Sequence, residues 1–170
     1  MGATKEPLAR AFLAMSVDGY IADASGGVGW LDAYSGAESD FESFWKAIGA
    51  CVMGRRTYDQ AVDWGADKWH FGAHDRVVVL THRPIEDPLP GVERYAGDLA
   101  ALISALKREL APRGKDIWLM GGGESLASLH EAGLVDRWEI SVIPVLLGSG
   151  VRLFPGGSQR LQALRLVSRR

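Results

Sequence analysis

Short runs of consecutive apolar residues alternate along the chain with segments whose apolar positions recur every three or four residues. The runs ARAFLAM (9–15), ACVM (50–53), RVVVLT (76–81), DIWLM (116–120) and RWEISVIPVLL (137–147) predict strands, with VERYA (92–96) and ALRLVSRR (163–170) as two shorter candidates. Helical spacing marks the segments between them. In SDFESFWKAIG (39–49), Phe41, Phe44, Trp45 and Ile48 fall on one helical face, and Ser39 with Glu42 has the S-x-x-E spacing of a capping box. RRTYDQAV (55–62), DLAALISALKREL (98–110) and ESLASLHEA (124–132) read as further helices, with Asp98 as an N-cap and Gly133 as a C-terminal stop. Alternating strand and helix with nearly continuous apolar strands predicts an α/β fold, a mainly parallel sheet covered by helices on both faces, in one domain spanning 1–170. Such sheets bind ligands at the carboxyl ends of their strands, so chemistry is sought there.

Four strand ends carry candidate residues. After DIWLM, Gly121, Gly122 and Gly123 open a helix together with Glu124 and Ser125. Glycines let a ligand approach the backbone, and the N–H groups of a helix start hold anions; the competing explanation is a tight turn without a ligand. After ACVM, Gly54 leads into Arg55, Arg56 and Thr57. Two cations in a first helical turn oppose the helix dipole and are better explained by a bound anion. After RVVVL come Thr81, His82 and Arg83, a hydroxyl, an imidazole and a guanidinium suited to a phosphate monoester. After ARAFLAM, a long glycine-rich loop carries Trp30 and Leu31, too apolar for disorder and long enough to serve as a lid over a substrate. Neither G-x-G-x-x-G nor the Walker loop is present.

Charge narrows the partners. A net charge of -2 gives no electrostatic footprint for nucleic acid or an anionic membrane, which leaves a small molecule. No apolar stretch is long enough to span a bilayer, and the N-terminus lacks a signal-like core, so a cytoplasmic protein is expected. The lone Cys51 excludes an internal disulfide and any multi-cysteine metal centre. His70 and His74 stand four apart, but Gly72 lies between them and no third ligand is evident, so no metal site is assigned. Asp18, in VDGY, is assigned to a turn.

FLAMSVDGYIA, VMGRRTYD, VVVLTHRP, WLMGGGESLASLHEAGLVD and PVLLGSGVRLF occur in this order, and together they resemble the dihydrofolate reductase superfamily. The branch they are most similar to is the reductase domain of riboflavin biosynthesis and its small stand-alone relatives. The resemblance implies a three-layer, twisted, mainly parallel sheet with antiparallel strands at the C-terminus, and an NADPH-dependent reductase. By matching motif positions, it implies cofactor contacts from Ala14, Gly54, Arg55, Arg56, Thr57, Thr81, His82, Arg83, Gly121, Gly122, Gly123, Glu124 and Ser125, and a cis peptide at Gly121–Gly122. The resemblance also implies that Asp40, which stands to Phe44 in the D-x-x-x-F setting of folate reductases, is the acid that assists protonation of an imine nitrogen. An acid in a helix's first turn is also favourable for the helix dipole alone, which explains Asp40 without chemistry. The closing segment leaves room for one of the two expected C-terminal strands, and an open edge there favours a homodimer. A non-catalytic NADPH sensor, a dihydrofolate or pterin reductase and a flavin-binding protein stand as alternatives.

Overall fold

The structure is a computed structural model that describes residues 6–34, 41–65, 76–156 and 163–169. Along these residues the order is β1 (Ala9–Ser16), β2 (Tyr20–Ala22), α1 (Phe41–Ala47), β3 (Ile48–Gly54), α2 (Arg55–Asp63), β4 (Arg76–Leu80), β5 (Val92–Tyr95), α3 (Leu99–Leu110), β6 (Asp116–Gly121), α4 (Gly123–Glu131), β7 (Arg137–Ile143) and β8 (Val151–Arg152). A 3-10 turn spans Gly29–Tyr34 and another Ala111–Arg113.

Six strands form one sheet in the order β5-β4-β3-β6-β1-β7, and every neighbouring pair is parallel. Strand alternation divides the core between the two faces. Ala50, Val52, Val78, Ile117 and Leu119 point to one side, where α3 and α4 cover them with Leu102, Ile103, Leu106, Leu110, Leu126 and Leu129. Cys51, Met53, Val77, Val79 and Trp118 point to the other, under Phe44 of α1 and Tyr58 of α2. The three-layer α/β arrangement expected from the sequence is therefore present. Burial explains Cys51, whose thiol is pushed up well above its usual range and is inert.

Local expectations fare unevenly. The Asp98 side chain caps α3 by accepting from Ala101 N at 2.7 Å, and Gly133 ends the α4 turn with φ 69°. Ile48, placed by spacing on the α1 face, instead begins β3, because its backbone joins the sheet beside Asp116. Glu42 pairs with Lys46 one turn on, at 2.6 Å, while Ser39 of the expected capping box lies outside the described residues.

The antiparallel element is also displaced. It is a separate two-stranded ribbon of β2 and β8, rather than an extension of the main sheet. Residues 163–169, expected as a strand, carry no regular structure, and Leu164, Leu166 and Val167 are exposed. Alternating apolar residues favour a strand only where a partner edge takes up their hydrogen bonds. No helix among the described residues is long and apolar enough to cross a membrane.

Candidate active site and cofactor cradle

Because the sheet is wholly parallel, all six carboxyl ends lie along one edge. β3 and β6 are neighbours there, with Met53 paired to Gly121, and each passes directly into a helix. Both helices start on an extended glycine, Gly54 for α2 and Gly122 for α4, and neither start has a side-chain cap. α3, which follows the outer strand β5, does have one. The first-turn N–H groups of α2 and α4 thus have no N-cap side chain to satisfy them, and the positive ends of the two helices meet at one place, as an anion site requires.

The two starts touch. A methyl group on Gly54 would lie 2.3 Å from Ser125 Oγ, and one on Gly122 would lie 3.6 Å from Thr57 Oγ1. Each helix therefore lends a hydroxyl to the other's glycine.

The three successive glycines have separate reasons. Gly121 adopts φ +112°, a region that favours glycine, and its bond to Gly122 is cis. A side chain on Gly123 would stand 2.3 Å from the Arg152 carbonyl oxygen, so this glycine lets β8 press against α4. Gly122 alone faces room, with φ -72° and only an ordinary contact to a Cβ. Of the three, only the middle glycine has room beside it for a further group.

The cations are placed differently from one another. Arg55 donates through Nε to Asp59 at 2.6 Å and through Nη1 to the Pro84 carbonyl at 2.7 Å, tying α2 to the chain after β4. It lines a groove of about 270 Å³ whose other walls include Asp59, Asp63, Glu86 and Asp87. That acidic groove does not suit a phosphate. Arg56 is exposed and has no partner among the described residues. At the β4 end, Thr81 is buried and accepts from Arg83 N at 3.1 Å, leaving the His82 and Arg83 side chains exposed. Ala14, half-buried in β1, pairs with Ser141 of β7, and Glu124 is exposed in the first turn of α4.

The glycine-rich loop is held at its base by Asp18. Its carboxylate accepts from Ser16 Oγ at 2.6 Å, Gly148 N at 2.7 Å and Leu147 N at 3.1 Å. The Ser16 hydroxyl, then these two N–H groups, hold the carboxyl down at about 2 against partial desolvation. Asp18 thus does more than close its own turn, because it also fixes the β7–β8 connection. Trp30 sits in the 3-10 turn with its indole N–H buried and without a hydrogen-bond partner among the described residues, and Leu31 N closes that turn on the Val28 carbonyl at 3.0 Å. A buried donor without an acceptor is costly unless a ligand provides one. Asp40, His70 and His74 lie outside the described residues. Phe44, the partner of Asp40 in the D-x-x-x-F spacing, is a core residue stacked on Phe12 at 4.3 Å.

Sequence reasoning missed three residues at this edge. Arg94 reaches from β5 to the His82 carbonyl at 3.2 Å, Arg152 donates to the Tyr20 hydroxyl at 3.1 Å, and Gln60 donates to the Gly26 carbonyl at 2.9 Å. All three act across long stretches of chain, and no local motif signals them.

The family model described as the RibD C-terminal domain matches residues 7–170. The chain belongs to this family. Among curated relatives of this RibD C-terminal domain, the uncharacterized protein YwjB of Bacillus subtilis is 30% identical over 145 residues, covering 84% of this chain and 80% of its own. The uncharacterized protein YyaP of the same organism is 27% identical over 168 residues, covering 93% and 85%. Among solved structures, a putative riboflavin biosynthesis protein from Shewanella sp. PV-4 superposes with TM-score 0.81 at 27% identity, covering 95% of this chain and 90% of that one. A Thermotoga maritima diaminohydroxyphosphoribosylaminopyrimidine deaminase/5-amino-6-(5-phosphoribosylamino)uracil reductase shares the fold at TM-score 0.56 and 19% identity, with 92% of this chain and 50% of that one covered. The expected kinship with riboflavin-type reductase domains is thereby shown.

Proposed function

We propose that this protein is an NADPH-dependent reductase of a small heterocyclic or imine-bearing molecule, of the kind reduced by 5-amino-6-(5-phosphoribosylamino)uracil reductases. The observation that carries the reading is the pair of adjoining, uncapped helix starts at Gly54 and Gly122, set on neighbouring strands of a RibD C-terminal domain. They fit a diphosphate, which needs several convergent N–H groups and room against the backbone.

In this reading the N–H groups of Gly122, Gly123, Glu124 and Ser125 and the hydroxyls of Thr57 and Ser125 take the diphosphate. Gly54 and the first turn of α2, through Arg56, extend the positive end along the cofactor, while Arg55 keeps its contacts with Asp59 and the Pro84 carbonyl, and Thr81, His82 and Arg83 receive the 2′-phosphate end. The Ala14 backbone meets the nicotinamide amide. NADPH, when bound, supplies a hydride to the substrate carbon. Trp30 offers its unpartnered N–H to an acceptor on the substrate, Leu31 helps to exclude water, and Asp40 holds the proton destined for the imine nitrogen. A homodimer in the cytoplasm accompanies the reading, supported by β7, which pairs only with β1 among the described residues and exposes Val142.

The test is turnover. Purified protein is mixed with NADPH and a ribosylamino-pyrimidine phosphate or a dihydropterin, and loss of NADPH absorbance is followed. Reduction of either compound, slowed about a hundredfold or more in Asp40→Asn, is the expected outcome. NADPH binding without turnover on any such compound points instead to a sensor.

A further inference from the structure

We propose that Gln60 is a positioning residue, whose side-chain amide latches the tip of the glycine-rich loop onto α2 and so keeps Trp30 over the cradle. The inference rests on the reductase reading for what the loop covers, but the latch itself is a property of the ligand-free chain. The tip is a closed unit. The Asp23 carboxylate accepts from Ser25 N at 2.8 Å, Ser25 Oγ at 2.6 Å and Gly27 N at 2.8 Å, and Asp23 N donates to the Gly27 carbonyl at 2.9 Å. These bonds satisfy the inside of the turn and set Gly26 at φ +87°. Its carbonyl finds one partner among the described residues, Gln60 Nε2 at 2.9 Å, thirty-four positions away.

The loop is consequently tied at two places to two different bodies. Its base belongs to the β7–β8 connection, through Asp18 and through the β2–β8 ribbon. Its tip belongs to α2, the helix that begins at Gly54 and presents Arg55, Arg56 and Thr57. Trp30, with its buried indole N–H, follows the tip by four residues. Losing the amide frees the tip from α2 and leaves the base in place, so the 3-10 turn carrying Trp30 loses its tie to that helix. Gln60 is half-buried, and the bond to the Gly26 carbonyl is its one side-chain hydrogen bond among the described residues.

Gln60→Met removes the donor and keeps length, volume and helix propensity, and Gln60→Lys restores a donor at similar reach. Amide hydrogen exchange in the ligand-free protein reads the latch. In Gln60→Met, exchange over residues 23–31 is expected to quicken about fivefold, the worth of one ordinary hydrogen bond, with β1 and α3 unchanged; Gln60→Lys is expected to return towards the parent rate. The positioning role is read by NADPH dissociation in stopped flow, expected to quicken about fivefold in Gln60→Met. Unchanged exchange at 23–31, or a rise spread equally over β1 and α3, overturns the latch. Quickened exchange with an unchanged NADPH off-rate overturns the positioning role. Failure of the unaltered protein to bind NADPH sinks the reductase reading and the positioning role with it, while the exchange experiment still decides the latch.

Discussion

Gly122→Ala is expected to weaken NADPH binding about a hundredfold in a protein that still folds, whereas Gly123→Ala is expected to cost stability itself. The contrast follows from what each added methyl meets. At Gly122 it finds only Thr57 Oγ1 at an ordinary 3.6 Å, but it occupies the space where a diphosphate must approach backbone N–H groups to about 3 Å. Losing two charge-assisted hydrogen bonds of about 1.5 kcal/mol each gives that factor. At Gly123 the methyl lies 2.3 Å from the Arg152 carbonyl oxygen, a backbone atom held by the β2–β8 ribbon. Overpacking of this kind costs about 1–3 kcal/mol, of which helix propensity returns about 1 kcal/mol. Denaturant melts of both variants, run beside binding isotherms, separate the two effects. Equal binding by Gly122→Ala and the parent would remove the ligand from the middle glycine.

Asp116→Ala is expected to destabilise the fold by about 3–5 kcal/mol, read from urea unfolding. Asp116 is fully buried at the amino end of β6, where it accepts from Arg10 Nη1 at 3.1 Å and Leu8 N at 3.0 Å. Arg10 extends the network to Glu139 with a two-pronged contact at 2.7 and 2.8 Å, and its guanidinium lies 4.7 Å over the Phe44 ring. Burial works against the Arg10 charge, but Glu139 and Asp116 outweigh it and leave its pKa above the ordinary value. Removing Asp116 leaves the Leu8 N–H without that acceptor and takes one counter-charge from a buried guanidinium. Asp116→Asn, which keeps an acceptor for Leu8, should lose less than alanine does. Because this network sits at the opposite ends of the strands from the cradle, the loss should appear in stability and not in NADPH affinity per folded molecule.

Local patterning carried much of the fold. Apolar runs located the strands, and Asp98 and Gly133 marked helix ends, because these signals act over a few residues. Parallel pairing followed from the alternation of strand and helix. An antiparallel strand near the C-terminus was expected, but its pairing as β8 with β2 was not legible, because each is two or three residues long and exists only through the other, with Gly150 admitting the Ala22 carbonyl where a Cβ would lie 2.1 Å away. Ile48 went to the wrong element because a helical face and a strand start share its position. At the site, the glycines were visible as a run, but their division of labour was not. Gly121 answers to backbone conformation, Gly123 to the Arg152 backbone and only Gly122 to open space, and two of those reasons depend on three-dimensional neighbours. Likewise Arg55 reads as a phosphate ligand in sequence, while in the structure Asp59 and the Pro84 carbonyl already engage it.

The cradle formed by the starts of α2 and α4 is tested most directly by titrating the ligand-free protein with NADPH and with NADH, following tryptophan fluorescence. The account predicts saturable quenching by NADPH and binding of NADH weaker by about tenfold or more, since one charge-assisted phosphate contact is worth at least about 1.5 kcal/mol. Equal affinity for the two would remove the 2′-phosphate from Thr81, His82 and Arg83. Binding of neither would contradict the cradle itself, leaving Gly54 and Gly122 as turns between strand and helix.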